Sequence, residues 1–173
     1  LRTSEAGCDE SRTPRFNREV PRIIPGIDST RIEDNHWTLA ECAVLGDRRV
    51  PICVDFEHGQ IGELSSLQRE AIRQALALPP DVLRITAPLV LQNYDVYRDM
   101  IGDESMPLLA NPIQVWDEVT FSYIYVPPHV EYDRHIPTFE LLAECSWDPE
   151  HGLEVRFRNG VADDADQIGE TGR

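Results

Sequence analysis

The segment from Cys145 to Gly152, with the sequence Cys-Ser-Trp-Asp-Pro-Glu-His-Gly, carries the residue types in this chain that are most able to do chemistry. It places a thiol, carboxylates and an imidazole close together around one turn. Asp148, Glu150 and His151 could bind a divalent metal or transfer protons. Such a site needs further ligands from elsewhere, and His58 is a candidate. One hypothesis is therefore a metal-dependent hydrolase or a metal-binding regulator.

The same turn also has a structural explanation. Asp148 precedes a proline, which is typical of a side-chain-capped turn, and Gly152 can supply a positive φ. The residues just before the turn fall on the apolar side of an alternating strand. No H-E-x-x-H, G-x-S-x-G or P-loop pattern occurs in the sequence. We therefore favour a structural turn and predict no catalytic residue, metal ligand or cofactor. Only Glu150 and His151 lack a structural explanation.

Charge is the strongest global property of the chain. Thirty-one acidic residues against 16 basic ones give a net charge of −15. This balance argues against nucleic acid as a partner, because phosphates require a cationic surface. It suits a basic protein partner, since opposite electrostatic fields accelerate encounter. The predicted partner-binding residues are polar side chains expected on loops and edges: Glu131, Asp133, Asp148, Glu150, His151, Asp163 and Asp164.

Two helices are predicted in the middle of the chain. Ser65 and Gln68 match a capping box, and an apolar stripe follows them, while Gln68 itself is expected to face water. The first helix ends before Pro79. The second is predicted from about Asp81 to Ile101, with a kink or a short interruption at Pro88. Its candidate core residues are Val82, Leu83, Leu89, Val90, Tyr94, Tyr97 and Ile101. Together these segments form a helical hairpin between two groups of strands.

The strands flank this hairpin. Residues 36–56 predict two strands joined by a loop at 46–49, a register that places Cys42 opposite Cys53. Alternation predicts further strands at 119–126 and 138–147. The next strand follows the Asp148 turn, and Asn159-Gly160 predicts a hairpin to an acidic edge strand. The fold prediction is an α+β domain of order ββ-αα-ββββ, with an antiparallel sheet and the helical hairpin packed on one face.

The chain length is that of a single domain. Residues 1–35 are polar and interrupted by prolines, so we predict an irregular N-terminal arm followed by one α+β domain over residues 36–173. No apolar run is long enough to span a membrane, and the first residues do not resemble a signal peptide. The cysteines lack C-x-x-C spacing, so we expect reduced thiols in a cytoplasmic protein. They are Cys8, Cys42, Cys53 and Cys145.

Three features resemble uncharacterised bacterial domains of unknown function. They are Trp37 in the first strand, Tyr94 with Tyr97 near the end of the helical pair, and the Trp-Asp-Pro-Glu-His-Gly-Leu hairpin of residues 147–153. The resemblance covers about residues 36–170, and the proline-rich arm departs from it. It implies a cytoplasmic immunity or accessory protein encoded beside a secreted toxin.

The functional prediction follows from the acidity and this resemblance together. We expect a non-enzymatic immunity protein that covers the active site of a basic bacterial toxin. Its carboxylates would match the cations with which the toxin binds its substrate. The metal-dependent hydrolase or metal-binding regulator is the first alternative. A secretion chaperone or adaptor, which should be a dimer with an exposed apolar groove, is the second.

Overall fold

The computed structural model describes residues 29–33, 36–56, 64–102, 106–128 and 135–168. Seven strands form one sheet: β1 Ser29–Glu33, β2 His36–Leu45, β3 Arg48–Asp55, β4 Val119–Val126, β5 Thr138–Cys145, β6 Leu153–Arg158 and β7 Val161–Asp166. Between β3 and β4 lie two α-helices and one 3-10 helix: α1 Ser66–Leu76, α2 Val82–Ile101 and the 3-10 helix Pro112–Glu118. The α+β class is confirmed.

The sheet is mixed, and the prediction of a purely antiparallel sheet is wrong at one pair. The strands follow one another in sequence order, and β3 and β4 are parallel while the other neighbours are antiparallel. The helices form the crossover that a parallel pair requires. The first strand, β1, was not predicted and lies inside the stretch assigned to the arm. Residues 1–28 of that arm lie outside the described residues.

The β2–β3 hairpin differs from its predicted register. The turn contains only Gly46 and Asp47, and Gly46 has a φ of +66°. Because this turn is two residues shorter than the predicted loop, the pairing moves by two residues and the apolar face stays the same. Cys42 therefore lies opposite Pro51, and a further register shift between Thr38 and Cys42 places Cys53 opposite Thr38. The prediction that the two cysteines face each other is therefore wrong.

Both α-helices begin where the sequence predicts them, whereas the 3-10 helix was not predicted. The reciprocal bonds of the capping box between Ser65 and Gln68 are both present at the start of α1. The second helix, α2, follows Asp81 and continues through Pro88 to its end. Ile101, which was predicted to contact the core, is exposed. Gln68, which was predicted to face water, is only 4% exposed.

The two faces of the sheet differ in chemistry. One row of cross-strand partners is apolar: Ile52, Ile124, Leu141, Val155 and Ala165. The neighbouring row on the opposite face is mainly polar: Thr38, Cys53, Tyr125, Glu140, Arg156 and Asp164. The apolar row belongs to the core shared with α1 and α2. Across these two rows, the alternation of side chains along the strands separates core from polar groups.

The buried side chain of Gln68 joins α1 to the parallel strands. Its amide donates one hydrogen bond to the Asp55 carbonyl at 2.7 Å and another to the Pro127 carbonyl at 3.2 Å. Its Oε1 accepts the N–H of Ser65 at 3.1 Å. One amide therefore satisfies the carbonyls at the ends of β3 and β4, which explains why a polar residue is buried here.

The helices of the described residues differ from membrane spans. None of them combines the length and the apolar character needed to cross a bilayer.

Candidate functional site

The turn between β5 and β6 is organised by Asp148. Its carbonyl oxygen accepts the N–H of Gly152 at 2.8 Å, and its Oδ1 accepts the backbone N–H of His151 at 3.2 Å. Gly152 has a φ of +73°. Both the side-chain-capped turn and the positive φ agree with the sequence-based interpretation.

The Asp148 carboxylate lies in a buried hydrogen-bond network. Asp148 is 6% exposed, and it accepts the hydroxyl of Tyr97 at 2.6 Å and contacts His151 Nδ1 at 3.0 Å. Burial tends to raise the pKa of Asp148, but the hydrogen bonds from Tyr97 and His151 outweigh it and lower the pKa. The carboxylate is therefore ionised and fixed in place at neutral pH.

The neighbouring thiol and phenol remain protonated. Burial raises the pKa of Cys145 to about 11, and its Sγ lies 3.7 Å from the Asp148 carbonyl oxygen. Burial, followed by the hydrogen bond to Asp148, also raises the pKa of Tyr97. A thiol in this state is a poor nucleophile and a poor metal ligand. Cys145 therefore belongs to the core, as the alternation of β5 predicted.

Two side chains of the turn are open to a partner. Glu150 is exposed, and the side chain of His151 is 57% exposed. Because Nδ1 of His151 contacts Asp148, the ring is oriented and Nε2 lies on its other edge. A protein partner could form a hydrogen bond or an ion pair with these groups. The turn thus combines a buried anchor with an exposed outer surface.

Other acids lie beside the turn. The Ser146 hydroxyl donates to Glu118 at 2.7 Å, and Glu144 is exposed near the end of β5. We call Glu118, Glu144 and Glu150, which lie on this turn or at the strand ends beside it, the acidic patch.

The predicted residues Asp163 and Asp164 lie in a different place. They bind the buried guanidinium of Arg156, with Nε 3.0 Å from Asp163 and Nη2 3.2 Å from Asp164. Arg158 Nε lies 3.2 Å from Asp163. Most of the length of β6 separates these pairs from the Asp148 turn, a distance of roughly 15 Å at the usual rise per residue. The structure therefore divides the predicted set into two groups.

The remaining predicted positions lie outside the described residues. These positions are Glu131 and Asp133 of the predicted partner surface and His58 of the metal hypothesis. Within the described ranges, no group of three His, Cys, Asp or Glu side chains is arranged to hold a metal ion.

Sequence reasoning missed the helical half of this site. Tyr97 was predicted as a core residue, whereas its hydroxyl holds Asp148. Asn93, one turn earlier, accepts the indole N–H of Trp147 at 2.8 Å. Polar groups at core positions of a helix usually have buried partners, and this was the available signal. Glu118 had no comparable signal in the sequence.

Neither the curated proteins nor the solved structures include a match to this chain. The model of a protein family described as a domain of unknown function (DUF6985) matches residues 28–169. The match begins before β1 and ends after β7, so it contains every strand of the sheet. The resemblance to domains of unknown function is confirmed at this level. The chain belongs to the DUF6985 family.

Proposed function

We propose that this protein is a non-enzymatic binding protein for a basic protein partner, which it contacts through the acidic patch. In its specific form, the partner is a bacterial toxin whose active site the patch covers. The observation that supports this most is the presence of Glu118, Glu144 and Glu150 on or beside one turn, with Glu144 and Glu150 exposed. The net charge of −15 favours the same class of partner.

The construction of the turn suits binding. Asp148 holds the turn from inside, while Glu150 and His151 point outward from a fixed backbone. Groups that are already ordered lose less conformational freedom when a partner binds. The buried carboxylate thus acts as a positioning group, and the exposed carboxylates supply the attraction.

Long-range electrostatics give the proposal a measurable signature. Exposed charges are screened over about 10 Å at 0.1 M salt, so binding through the acidic patch should weaken as salt increases. The salt dependence should be carried mainly by the association rate, because opposite fields guide encounter.

The test uses the protein encoded by the neighbouring gene. We would measure its binding by isothermal titration calorimetry and stopped-flow mixing at low and high salt. A complex at micromolar concentration or below is expected, with an association rate that falls steeply with salt. Glu144→Gln and Glu150→Gln together should lower this rate about tenfold, which is the size expected for electrostatic steering.

Glu70→Gln is the control for the loss of one carboxylate. Glu70 lies on the outside of α1, where it pairs with Arg73, so its loss should change the association rate little. Absence of a complex at micromolar concentration would remove the toxin form of the proposal. A complex whose rate is insensitive to both glutamates would remove the acidic patch as its binding surface.

A further inference from the structure

A separate surface lies at the other end of β6, between α2 and the last hairpin. It is a solvent-open crevice of about 320 Å³. Its lining is almost entirely apolar: Pro79, Val82, Ile85, Thr86, Leu89, Phe157, Gly160, Val161 and Ala162. The hydroxyl of Thr86 donates to the Val82 carbonyl at 2.8 Å, so it is already satisfied within α2. This crevice therefore favours an apolar group.

Two exposed aliphatic side chains extend this surface to solvent. Ile85 is 55% exposed on α2, and Val161 is exposed at the start of β7. Both belong to the lining of the crevice. Adjacent exposed aliphatic side chains beside a concave apolar surface mark an interaction site.

The crevice lies beside the edge of the sheet. Among the described strands, β7 is last in the order and pairs only with β6. An unpaired strand edge can accept another strand through its backbone N–H and C=O groups. When a side-chain pocket lies next to that edge, an added strand gains both backbone hydrogen bonds and a site for an apolar side chain.

The negative charge of β7 determines which kind of strand can pair with it. Asp163, Asp164 and Asp166 all lie on β7, and the side chains of Asp163 and Asp164 remain partly exposed despite their ion pairs. Pairing β7 with a second copy of β7 would bring aspartates against aspartates, which is unfavourable. A strand with basic side chains would meet opposite charge instead.

We infer that β7 and the crevice form a docking site for an extended basic segment of a partner protein. The segment adds to the edge of β7 and places an aliphatic side chain in the crevice. Its lysines or arginines lie against the aspartates of β7. This inference rests on the proposed function only in that the partner is basic, because the surface is distinct from the acidic patch.

A short peptide tests the site without knowledge of the natural partner. The probe is an N-acetylated, C-amidated heptapeptide of alternating lysine and valine, titrated into ¹⁵N-labelled full-length protein. We expect saturable changes in the amide shifts of Val161–Asp166 and of the α2 residues that line the crevice. The matched peptide of alternating glutamate and valine should bind at least tenfold more weakly.

A pair of variants tests the aliphatic contact. Ile85→Ser should weaken binding of the basic peptide about tenfold, because each buried CH₂ contributes about 0.8 kcal/mol. Val44→Ser is the control, since Val44 is 52% exposed on β2 and has no place in the crevice. Both positions are exposed, so both variants should fold, which circular dichroism and the thermal midpoint would verify.

Five outcomes would overturn the inference. The first four are no saturable shift, equal binding of the acidic peptide, equal effects of the two variants, and a homodimer that Ile85→Ser dissociates. The fifth is a set of peptide shifts confined to residues 148–151, which would overturn this inference while agreeing with the proposed function. Conversely, binding at β7 without any complex with the neighbouring gene product would retain this inference and remove only the toxin proposal.

Discussion

The hydroxyl of Tyr97 donates a hydrogen bond of 2.6 Å to the carboxylate of Asp148, 51 residues later in the chain. It does not act alone, because the ring of Tyr94 packs edge-on against Trp147 with the centroids 5.3 Å apart. The second half of α2 therefore holds the turn that carries Glu150 and His151. A substitution that removes part of this contact should disturb the turn more than the rest of the sheet.

Tyr97→Phe should destabilise the protein by about 1–3 kcal/mol. The substitution removes the donor and leaves Oδ2 of a buried, ionised Asp148 with one fewer hydrogen bond. The measurement is the free energy of unfolding from urea titration at pH 7. Tyr123→Phe, on the exposed side of β4, is the control and should cost less than about 0.5 kcal/mol. Equal effects of the two substitutions would contradict the role given to Tyr97.

Acid should weaken the contribution of Asp148. Its pKa is lowered in the folded protein, so the unfolded chain binds the proton more readily and stability rises with pH. The contribution is complete above the ordinary pKa of about 4 and disappears as pH falls through the lower folded value. We expect Asp148→Asn to cost about 2 kcal/mol at pH 7, and this difference should shrink steadily from pH 5 to pH 2.5.

The measurement is a series of urea titrations of both proteins across that range. Asp47→Asn, at the exposed β2–β3 turn, provides the comparison and should change stability by less than about 0.5 kcal/mol at each pH. A cost of Asp148→Asn that stays constant down to pH 2.5 would show that its carboxylate charge does not stabilise the fold.

A comparison of alanine substitutions at Gly152 and Gly160 distinguishes backbone strain from steric conflict. Their φ values are +73° and +75°, so alanine meets similar strain of about 1–2 kcal/mol at either site. A Cβ on Gly152 would lie 2.6 Å from the Ala143 carbonyl oxygen, whereas the nearest atom to a Cβ on Gly160 is 3.8 Å away. Gly152→Ala should therefore cost at least about 1 kcal/mol more than Gly160→Ala in thermal or urea unfolding. Equal costs would exclude the steric conflict.

Gln68→Ala should be one of the most destabilising substitutions on α1, at about 2–4 kcal/mol. It leaves the carbonyls of Asp55 and Pro127 without this donor and also removes the capping box. The control is Gln92→Ala on the exposed side of α2, which should change unfolding by less than about 0.5 kcal/mol. A small cost for Gln68→Ala would mean that water replaces its amide.

The helices and strands could be predicted where a single short segment of sequence determines the local structure. The capping box predicted the start of α1, and alternation predicted the core face of β5, although Thr138, Glu140 and Leu142 on its other face are buried as well. Prediction failed where the structure depends on residues that are far apart in the sequence. No local signal distinguishes a parallel β3–β4 pair from an antiparallel one, because both present the same apolar face. A buried Gln68 likewise becomes understandable only after both strand ends are placed.

An irregularity in β4 explains another difference between the predicted and the observed structure. The sequence of β4 predicts Val119, Phe121, Tyr123 and Tyr125 on one face, yet Ile124 and Val126 are buried. A register shift between Phe121 and Tyr123 exchanges the two faces midway along the strand. At the site, the turn chemistry of Asp148 and Gly152 could be predicted because it is local. The contribution of Tyr97 could not, since it depends on how α2 packs.

The parallel pairing of β3 with β4 also has a kinetic consequence. The hairpins on either side form between neighbouring segments, whereas β3 and β4 meet only after residues 56–118 close a long loop. Docking of the two halves should therefore limit the folding rate, and the bonds of Gln68 should form after that step. We expect Gln68→Ala to accelerate unfolding far more than it slows folding, which stopped-flow kinetics in urea would reveal.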